Sequence, residues 1–432
     1  ALGALGGESA IEALRWALVG GEQDGPKLRR REYKKEVRVE AAKALGALGG
    51  ESAIEALRLA WVGSEENWFV KERDTEVRVE VAKALIAIGD EVAIEALSGA
   101  LLGEFDDWSM SDWTELVIAL SAIRTEAAIR ALSLAVSSNA GQKEVDALQL
   151  EALQRARGAI DDETIETLSR TLVGENRDQE IQVRMGVVFI LDFIGSEAAV
   201  EVLSQALVGE SMDEDEEVRI EVANALGHIG GKIATKALRW ALVGQNKGSK
   251  DKAGSVRCEA AKSLGASGGE NATEALSQAL VGERKDQDEE VRCEVAKALG
   301  VLGGVNATEA LRWALVGGEQ DGQNKDEDEE VRLGVVRALV AIGGEIAAEA
   351  LSGALVGKTK DKAWRVRAKV AKELGTIGGE SATEALSHAM VGQDKDEERE
   401  VRLEVANVLG TVGGQNATEA LSRALVGQSK DK

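Results

Sequence analysis

The sequence predicts an all-α solenoid, in which short helices stack in pairs along one axis. Two observations support this. Long strings recur: ALGALGGESAIEALR stands at Ala1–Arg15 and again at Ala44–Arg58, and LRWALVGGEQDG at Leu14–Gly25 and again at Leu311–Gly322. Val-Arg pairs also recur throughout, as at Val256-Arg257 and Val291-Arg292. A repeat of this length is typical of stacked helical units rather than of one globular core.

Each repeat begins with an amphipathic helix. In the unit that starts at Glu290, this first helix is predicted to run to Leu302, because Val291, Val295 and Leu299 recur on one face of a 3.6-residue period. Small residues, Ala296 and Ala298, allow a neighbouring helix to approach closely. The first helix therefore presents an apolar face to the adjacent repeats.

A glycine pair then separates the first helix from the second. Gly303 and Gly304 end the first helix, because glycine readily adopts the left-handed conformation. Asn306 and Glu309 predict a capping box for the second helix, which is expected to stop at Gly317. Its expected core residues are Ala307, Ala310, Leu311, Ala314 and Leu315. The same box is predicted at Ser9/Glu12, Ser52/Glu55, Asn271/Glu274, Ser381/Glu384 and Asn416/Glu419.

The repeat frame covers the whole chain and predicts one continuous solenoid over residues 1–432, built from about twelve helix pairs. Residues 1–113 are expected to form repeats with long aromatic and basic loops. Residues 114–180 are degenerate repeats, and residues 181–432 are regular ones. The first unit is half a repeat, so apolar terminal faces are expected to favour self-association.

The amino-acid composition limits which kinds of partner the chain is expected to bind and which cell compartment it is expected to occupy. The net charge of −24 opposes contacts with phosphate backbones, so no nucleic-acid binding is expected. No apolar stretch is long enough to cross a membrane. The two cysteines, Cys258 and Cys293, occur in the same position of adjacent repeats and are expected to be unpaired. Together with the missing signal peptide, this favours the cytoplasm.

The motif VRxEAAxALGxIG followed by AxxAL resembles the short bacterial HEAT-like repeats of phycobilisome-lyase-type proteins. It stands here at Val37–Gly49 and Ala53–Leu57. The resemblance implies a right-handed superhelix that presents an extended surface to proteins. It also implies that the Arg of each Val-Arg pair bonds to turn carbonyls or to acidic side chains between repeats, rather than forming an anion-binding stripe. The family's usual Asp-Pro at helix starts is replaced by GGES, GGEN or DEDEE.

No catalytic or metal-binding set stands out. His228 and His388 are far apart and lack metal-ligand spacing, so both are interpreted as ordinary surface or interface residues. The acidic runs Asp213–Glu217, Asp286–Glu290 and Asp326–Glu330 lack the order of a calcium loop. Each precedes a first helix, where negative charge is favoured, and capping is therefore the preferred interpretation. No catalytic residue, metal or cofactor is predicted.

One position of the second helix varies while its neighbours stay nearly constant. This variable column lies four residues before the stop glycine and predicts a binding groove along the second helices, although an exposed position free to vary explains it equally well. Gly99, Leu134 and Gly353 also belong to the column. Its candidate binding residues are Trp16, Leu59, Arg170, Gln205, Trp240, Gln278, Trp313, His388 and Arg423.

Aromatic residues are concentrated in the N-terminal repeats, in the long loops and next to them. Loops held by a rigid scaffold often carry function, so these residues form a second candidate protein-binding site. A small local core is the alternative. The candidates are Trp68, Phe69, Phe105, Trp108 and Trp113.

The sequence therefore favours a non-enzymatic scaffold that binds a protein or peptide through its repeat surface. Two alternatives remain. The chain is the sensor or regulatory repeat segment of a larger signalling protein, of the nucleotide-switched ATPase type, or it is a bilin lyase-like subunit. The last rests on resemblance alone.

Overall fold

The computed structural model describes residues 7–19, 34–62, 74–94, 97, 126–137, 162–173, 178, 180–245, 250–317 and 325–428. Within these ranges the regular elements are α-helices, and no strand is found. First and second helices of a repeat alternate along most of the described chain, and several first helices pack directly on the first helix of the next repeat. The prediction of an all-α solenoid is confirmed.

The contacts divide the chain into two units. The N-terminal unit holds residues 1–206 and 211–218, and the C-terminal unit holds residues 207–210 and 219–432. The helices up to the boundary are α1 (Glu8–Val19), α2 (Lys35–Leu48), α3 (Glu51–Val62), α4 (Thr75–Ile88), α5 (Glu126–Ser137), α6 (Asp162–Leu172), α7 (Ile181–Ile194) and α8 (Glu197–Leu207).

The C-terminal unit is the more completely described of the two. Its first helix, α9 (Glu216–Ile229), belongs to it from Arg219 onward. The others are α10 (Gly231–Val243), α11 (Gly254–Ser267), α12 (Glu270–Leu280), α13 (Glu289–Leu302), α14 (Gly304–Val316), α15 (Glu329–Ile342), α16 (Gly344–Leu355), α17 (Trp364–Ile377), α18 (Glu380–Met390), α19 (Arg399–Val412) and α20 (Gly414–Gln428).

The predicted core is confirmed in the unit that starts at Glu290. Val291, Val295 and Leu299 of α13 have no exposed surface, and Leu302 is half-buried. On α14 the expected residues Ala307, Ala310, Leu311, Ala314 and Leu315 are all buried. Because both helices bury one apolar face against the adjacent repeats, the stability of each pair depends on its neighbours.

First helices approach closely through small residues. A Cβ built on Gly265 of α11 would lie 2.8 Å from the Cβ of Ala298 on α13. A Cβ on Gly300 of α13 would lie 2.9 Å from the Cβ of Ala338 on α15. Real Cβ contacts are longer than this, so glycine is needed at these positions for the observed helix spacing.

The predicted capping boxes are wrong. Gly303, with φ of 65°, is the N-cap of α14, so Asn306 already lies inside the helix. The glycine pair reverses the chain within two residues, because its positive φ values cost glycine little. The hydroxyl of Thr308 donates back to the carbonyl of Gly304. The second helices at the other predicted boxes also begin before the expected cap: α1, α3, α12 and α18 at the preceding Glu, and α20 at Gly414.

The last described repeat leaves part of its apolar surface uncovered. Leu425 and Val426 of α20 are 73% and 60% exposed, whereas Leu315 at the same repeat position as Leu425 is fully buried. Self-association through a terminal face stays a prediction.

Candidate functional site

Six of the nine arginines in the Val-Arg pairs form a buried ion pair with an aspartate of the next repeat. Arg257 Nε donates to Asp286 Oδ2 at 2.8 Å, and its Nη2 donates to Asp286 Oδ1 at 3.1 Å. Its Nη1 donates to the carbonyls of Asp251 and Lys252 in its own turn. This confirms the bonding implied by the family resemblance. Equivalent pairs are Arg184–Asp213, Arg219–Asp251, Arg292–Asp326, Arg332–Asp361 and Arg367–Asp396.

The aspartates of these pairs were missed by the sequence reasoning. Each stands six residues before the arginine of its own repeat, and this Asp-x5-Arg spacing was the available signal. Asp286 also accepts the backbone N–H of Asp288 and the Lys250 ammonium at 2.7 Å. Burial opposes ionisation of Asp286, but the hydrogen bonds from Arg257 and Lys250 outweigh it and hold its pKa below the usual value.

The six arginine–aspartate pairs form a ladder that engages the charged residues considered for an anion-binding stripe or a calcium loop. The six guanidinium groups are buried and donate their N–H groups to carboxylates and backbone carbonyls, so they do not form an anion-binding stripe. In the acidic runs the first residue, such as Asp286, is a buried ion-pair partner, and Asp288 caps α13 by accepting from the N–H of Glu290. The described residues contain no group of three ligands able to hold a metal ion.

Both cysteines are free and half-buried. Burial, together with the nearby charge of Asp288, raises the pKa of the Cys258 thiol to about 11. Burial also raises the pKa of Cys293. His228 and His388 lie exposed on different helices.

The exposed face of the second helices carries a column of acidic residues. Each stands four residues before a member of the variable column, which places the two side by side on the helix surface. The exceptions are Lys236, which precedes Trp240, and Arg130, which precedes Leu134. This acidic column consists of Glu12, Glu55, Glu166, Glu201, Glu274, Glu309, Glu349, Glu384 and Glu419, of which Glu309 is half-buried and the others are exposed.

Two kinds of repeat differ in how this carboxylate is bound. In some repeats an arginine that lies three residues after the carboxylate pairs with it: Arg312 donates to both oxygens of Glu309, at 2.9 and 2.7 Å. Arg58 does the same to Glu55. In the other repeats the residue is serine, and Ser387 donates instead to the carbonyl of Thr383. In the repeats with this arginine, the next residue, which belongs to the variable column, is Trp or Leu. In the repeats with the serine, the variable-column residue is Arg, Gln, Gly, His or Leu.

A groove of about 530 Å³ lies between α18 and α20. It brings together two members of the variable column, His388 and Arg423, with the acidic-column residues Glu384 and Glu419. Glu380 and Asp394 also line it. None of these six side chains forms an ion pair or hydrogen bond with another described residue, so the groove keeps its charges available to a ligand.

The other members of the variable column differ in exposure. Trp16, Arg170 and Gln205 are exposed, and Trp240, Gln278 and Trp313 are half-buried. Leu59 is an exception: its side chain is only 8% exposed, because this apolar residue joins the core, and it offers little surface to a partner. Gly353 leaves room for the hydroxyl of Thr359, which donates to its carbonyl. Trp68, Phe69, Phe105, Trp108 and Trp113 lie outside the described residues, as does Gly99.

The two tryptophans of the C-terminal unit have different surroundings. The ammonium of Lys236 lies 4.5 Å from the ring centroid of Trp240. Trp313 has Glu309 at the corresponding position. The hydrogen bond from Arg312 lowers the pKa of Glu309, against the opposing effect of burial.

None of the described helices combines the length and apolarity that a membrane span requires. Three solved structures show limited likeness to the chain. Human deoxyhypusine hydroxylase in complex with glycerol is 21% identical, with a TM-score of 0.26, over 75% of this chain and 95% of the other. The karyopherin Kap121p bound to the SUMO protease Ulp1p is 13% identical, with a TM-score of 0.36, over 98% and 51%. Importin beta is 17% identical, with a TM-score of 0.35, over 96% and 47%.

The chain thus spans about half the length of the karyopherin and importin chains. No curated protein sequence matches it significantly. The family model for HEAT repeats matches residues 171–248, 247–321 and 354–432, and the model for the PBS lyase HEAT-like repeat matches residues 37–60 and 77–103. Because the matches to the first model alone span more than half of the sequence, the chain belongs to the HEAT-repeat family.

Proposed function

We propose that this HEAT-repeat chain is a non-enzymatic scaffold that binds an extended, positively charged segment of a protein along its second helices. The observation that carries the proposal is the groove between α18 and α20, where Glu384 and Glu419 have no cationic partner among the described residues. Carboxylates without internal partners attract a basic ligand more strongly than neutralised ones.

The repeat spacing supports an extended ligand. Neighbouring packed helices lie about 8–10 Å apart, and an extended chain advances about 3.3 Å per residue, so every third residue of a ligand meets a new helix. The acidic column supplies one carboxylate per second helix in most repeats. A segment with Lys or Arg at every third position is therefore the expected partner.

The chemistry of the described side chains supports a binding role. The thiol of Cys258, with its pKa near 11, is almost entirely protonated at neutral pH and is a poor nucleophile. Among the described residues, His388 in the groove has no hydrogen-bond partner that would orient it as a base. The alternatives of a regulatory segment in a larger signalling protein and of a bilin lyase-like subunit stay predictions, since no described residue favours either.

A direct test uses a labelled 12-residue peptide with Lys at every third position and Ser elsewhere, measured by fluorescence anisotropy. We expect salt-sensitive binding that the double substitution Glu384→Gln with Glu419→Gln weakens about three- to tenfold, as for two exposed ion pairs. The control removes the same charge from first helices, with Glu221→Gln and Glu400→Gln. Equal losses in both variants would show that the groove is not the site, and an unbound peptide would refute the proposed function.

A further inference from the structure

Trp240 on α10 and Trp313 on α14 occupy the same repeat position, and both follow an arginine in the string ALRWALVG. Both indole rings are half-buried, so one part of each ring contacts the scaffold and another part faces outward. The residue one helical turn earlier differs, with Lys236 before Trp240 and Glu309 before Trp313. The comparison of these two positions points to a ligand subsite.

At Trp240 the chain supplies a cation to its own aromatic ring. The ammonium of Lys236 lies 4.5 Å from the ring centroid, within the range of a cation–π interaction. Lysine and tryptophan four residues apart on a helix are neighbours on its surface, so the contact is local. This repeat position therefore places the indole face where an ammonium group reaches it.

At Trp313 the same ring position has an acidic neighbour instead. Glu309 is held by Nε and Nη2 of Arg312, at 2.9 and 2.7 Å. Arg312 is thereby directed toward the carboxylate, and no cation of the described residues lies over the Trp313 ring. The variable-column residue of the next repeat is Gly353, which adds no side chain beside the ring. On the same helix as Gly353, Glu349 is exposed.

We propose that Trp313 is the binding position for one Lys or Arg side chain of the partner, and that Lys236 fills the equivalent position at Trp240. The partner's cation packs on the indole face, in the place that the Lys236 ammonium takes beside Trp240. The inference rests on the proposed function and names one subsite of the same surface. In the same way, Lys236 occupies the Trp240 ring and so reduces the binding of a partner's cation in its own repeat.

The test exchanges the two neighbouring residues. With the Lys-containing peptide, Glu309→Lys should copy the arrangement at Trp240 and weaken binding about two- to fivefold more than Glu349→Lys, which makes the same charge change beside Gly353. The reverse exchange, Lys236→Glu, should expose the Trp240 ring and strengthen binding more than Lys232→Glu, which alters the charge one turn earlier on the same helix.

Removing the ring gives an independent measurement. Trp313→Ala should weaken binding about two- to fivefold, whereas Trp364→Ala on α17, a first helix, should leave it unchanged. Circular dichroism establishes whether each variant is folded. If Trp313→Ala does not fold, the surface substitution Glu309→Lys still tests the proposal. If Glu309→Lys and Glu349→Lys weaken binding equally, the subsite is refuted while the basic-segment proposal stands. If the unaltered chain does not bind the peptide, the proposed function fails as well.

Discussion

Arg257 and Asp286 belong to successive repeats and form a two-point ion pair, with Nε–Oδ2 at 2.8 Å and Nη2–Oδ1 at 3.1 Å. Arg257 is 6% exposed and Asp286 is 1% exposed. Removing one charge leaves the other buried without its partner, at a cost of about 3–5 kcal/mol. We therefore expect Asp286→Ala to lower the denaturant midpoint strongly, measured by circular dichroism in urea.

The matched control is Asp288→Ala, two residues away. Asp288 caps α13 from a more exposed position, and loss of a cap costs about 0.5–2 kcal/mol. Hydrogen exchange should show that Asp286→Ala loosens α11 and the start of α13 together, because the pair joins α11 to the turn that precedes α13. A similar loss in both variants would contradict the importance of the ion pair.

The same aspartate predicts a pH dependence of stability. The pKa of Asp286 is lowered in the folded state, because the bonds from Arg257 and Lys250 outweigh the effect of burial. A lowered pKa means that the stabilisation is fully present above the unfolded-state pKa, which is about 3.9, and is lost as the pH falls through the folded-state value.

We expect the difference in unfolding free energy between the unaltered chain and Asp286→Asn to be constant from pH 7 to about 5 and to shrink below pH 4. Asp396, whose pKa is likewise lowered by Arg367 despite burial, should behave in the same way. Urea titrations at several pH values measure both. A difference that stays constant down to pH 2.5 would contradict the assignment.

The repeat made the helices, their apolar faces and the arginine column predictable from the sequence, because each rests on local periodicity. The aspartate partners were missed since Asp286 looked like part of an acidic run, and only the packed structure separates the buried Asp286 from the capping Asp288. The capping boxes failed because Ser and Asn compete there with a glycine pair that starts the helix earlier. The sequence showed that His388 and Arg423 occupy the same repeat position, but only the structure shows that they line a groove.

Glycine spacing between first helices gives a third prediction. Gly300→Ala would place a Cβ 2.9 Å from that of Ala338, and such overpacking costs about 1–3 kcal/mol. Gly410 occupies the same repeat position in α19, but no heavy atom lies within 4 Å of its Cβ site. Gly410→Ala should therefore stabilise the chain, by up to about 1 kcal/mol through helix propensity. Thermal unfolding of the two variants should show shifts of opposite sign.

Cys258 should react slowly with thiol reagents. Its pKa of about 11 leaves about 0.1% thiolate at pH 8, about two hundredfold less than an ordinary cysteine. Alkylation rates of the Cys293→Ser variant should rise with pH up to about 11. A rate that reaches its plateau near pH 8.5 would contradict the raised pKa, and alkylation in urea supplies the reference rate for an exposed thiol.

Duplex DNA should not bind to the described surface. The net charge of −24 opposes a phosphate backbone, and the arginines that an anion-binding stripe would need are held by aspartates, as Arg292 is by Asp326 at 2.8 Å. Lys285 is likewise engaged, 3.1 Å from the same carboxylate. In a fluorescence-anisotropy assay at 50 mM salt, we expect no binding of a labelled 20-base-pair duplex at concentrations where the Lys-containing peptide binds. Micromolar, salt-sensitive binding of the duplex would show that basic residues outside this ladder dominate the surface.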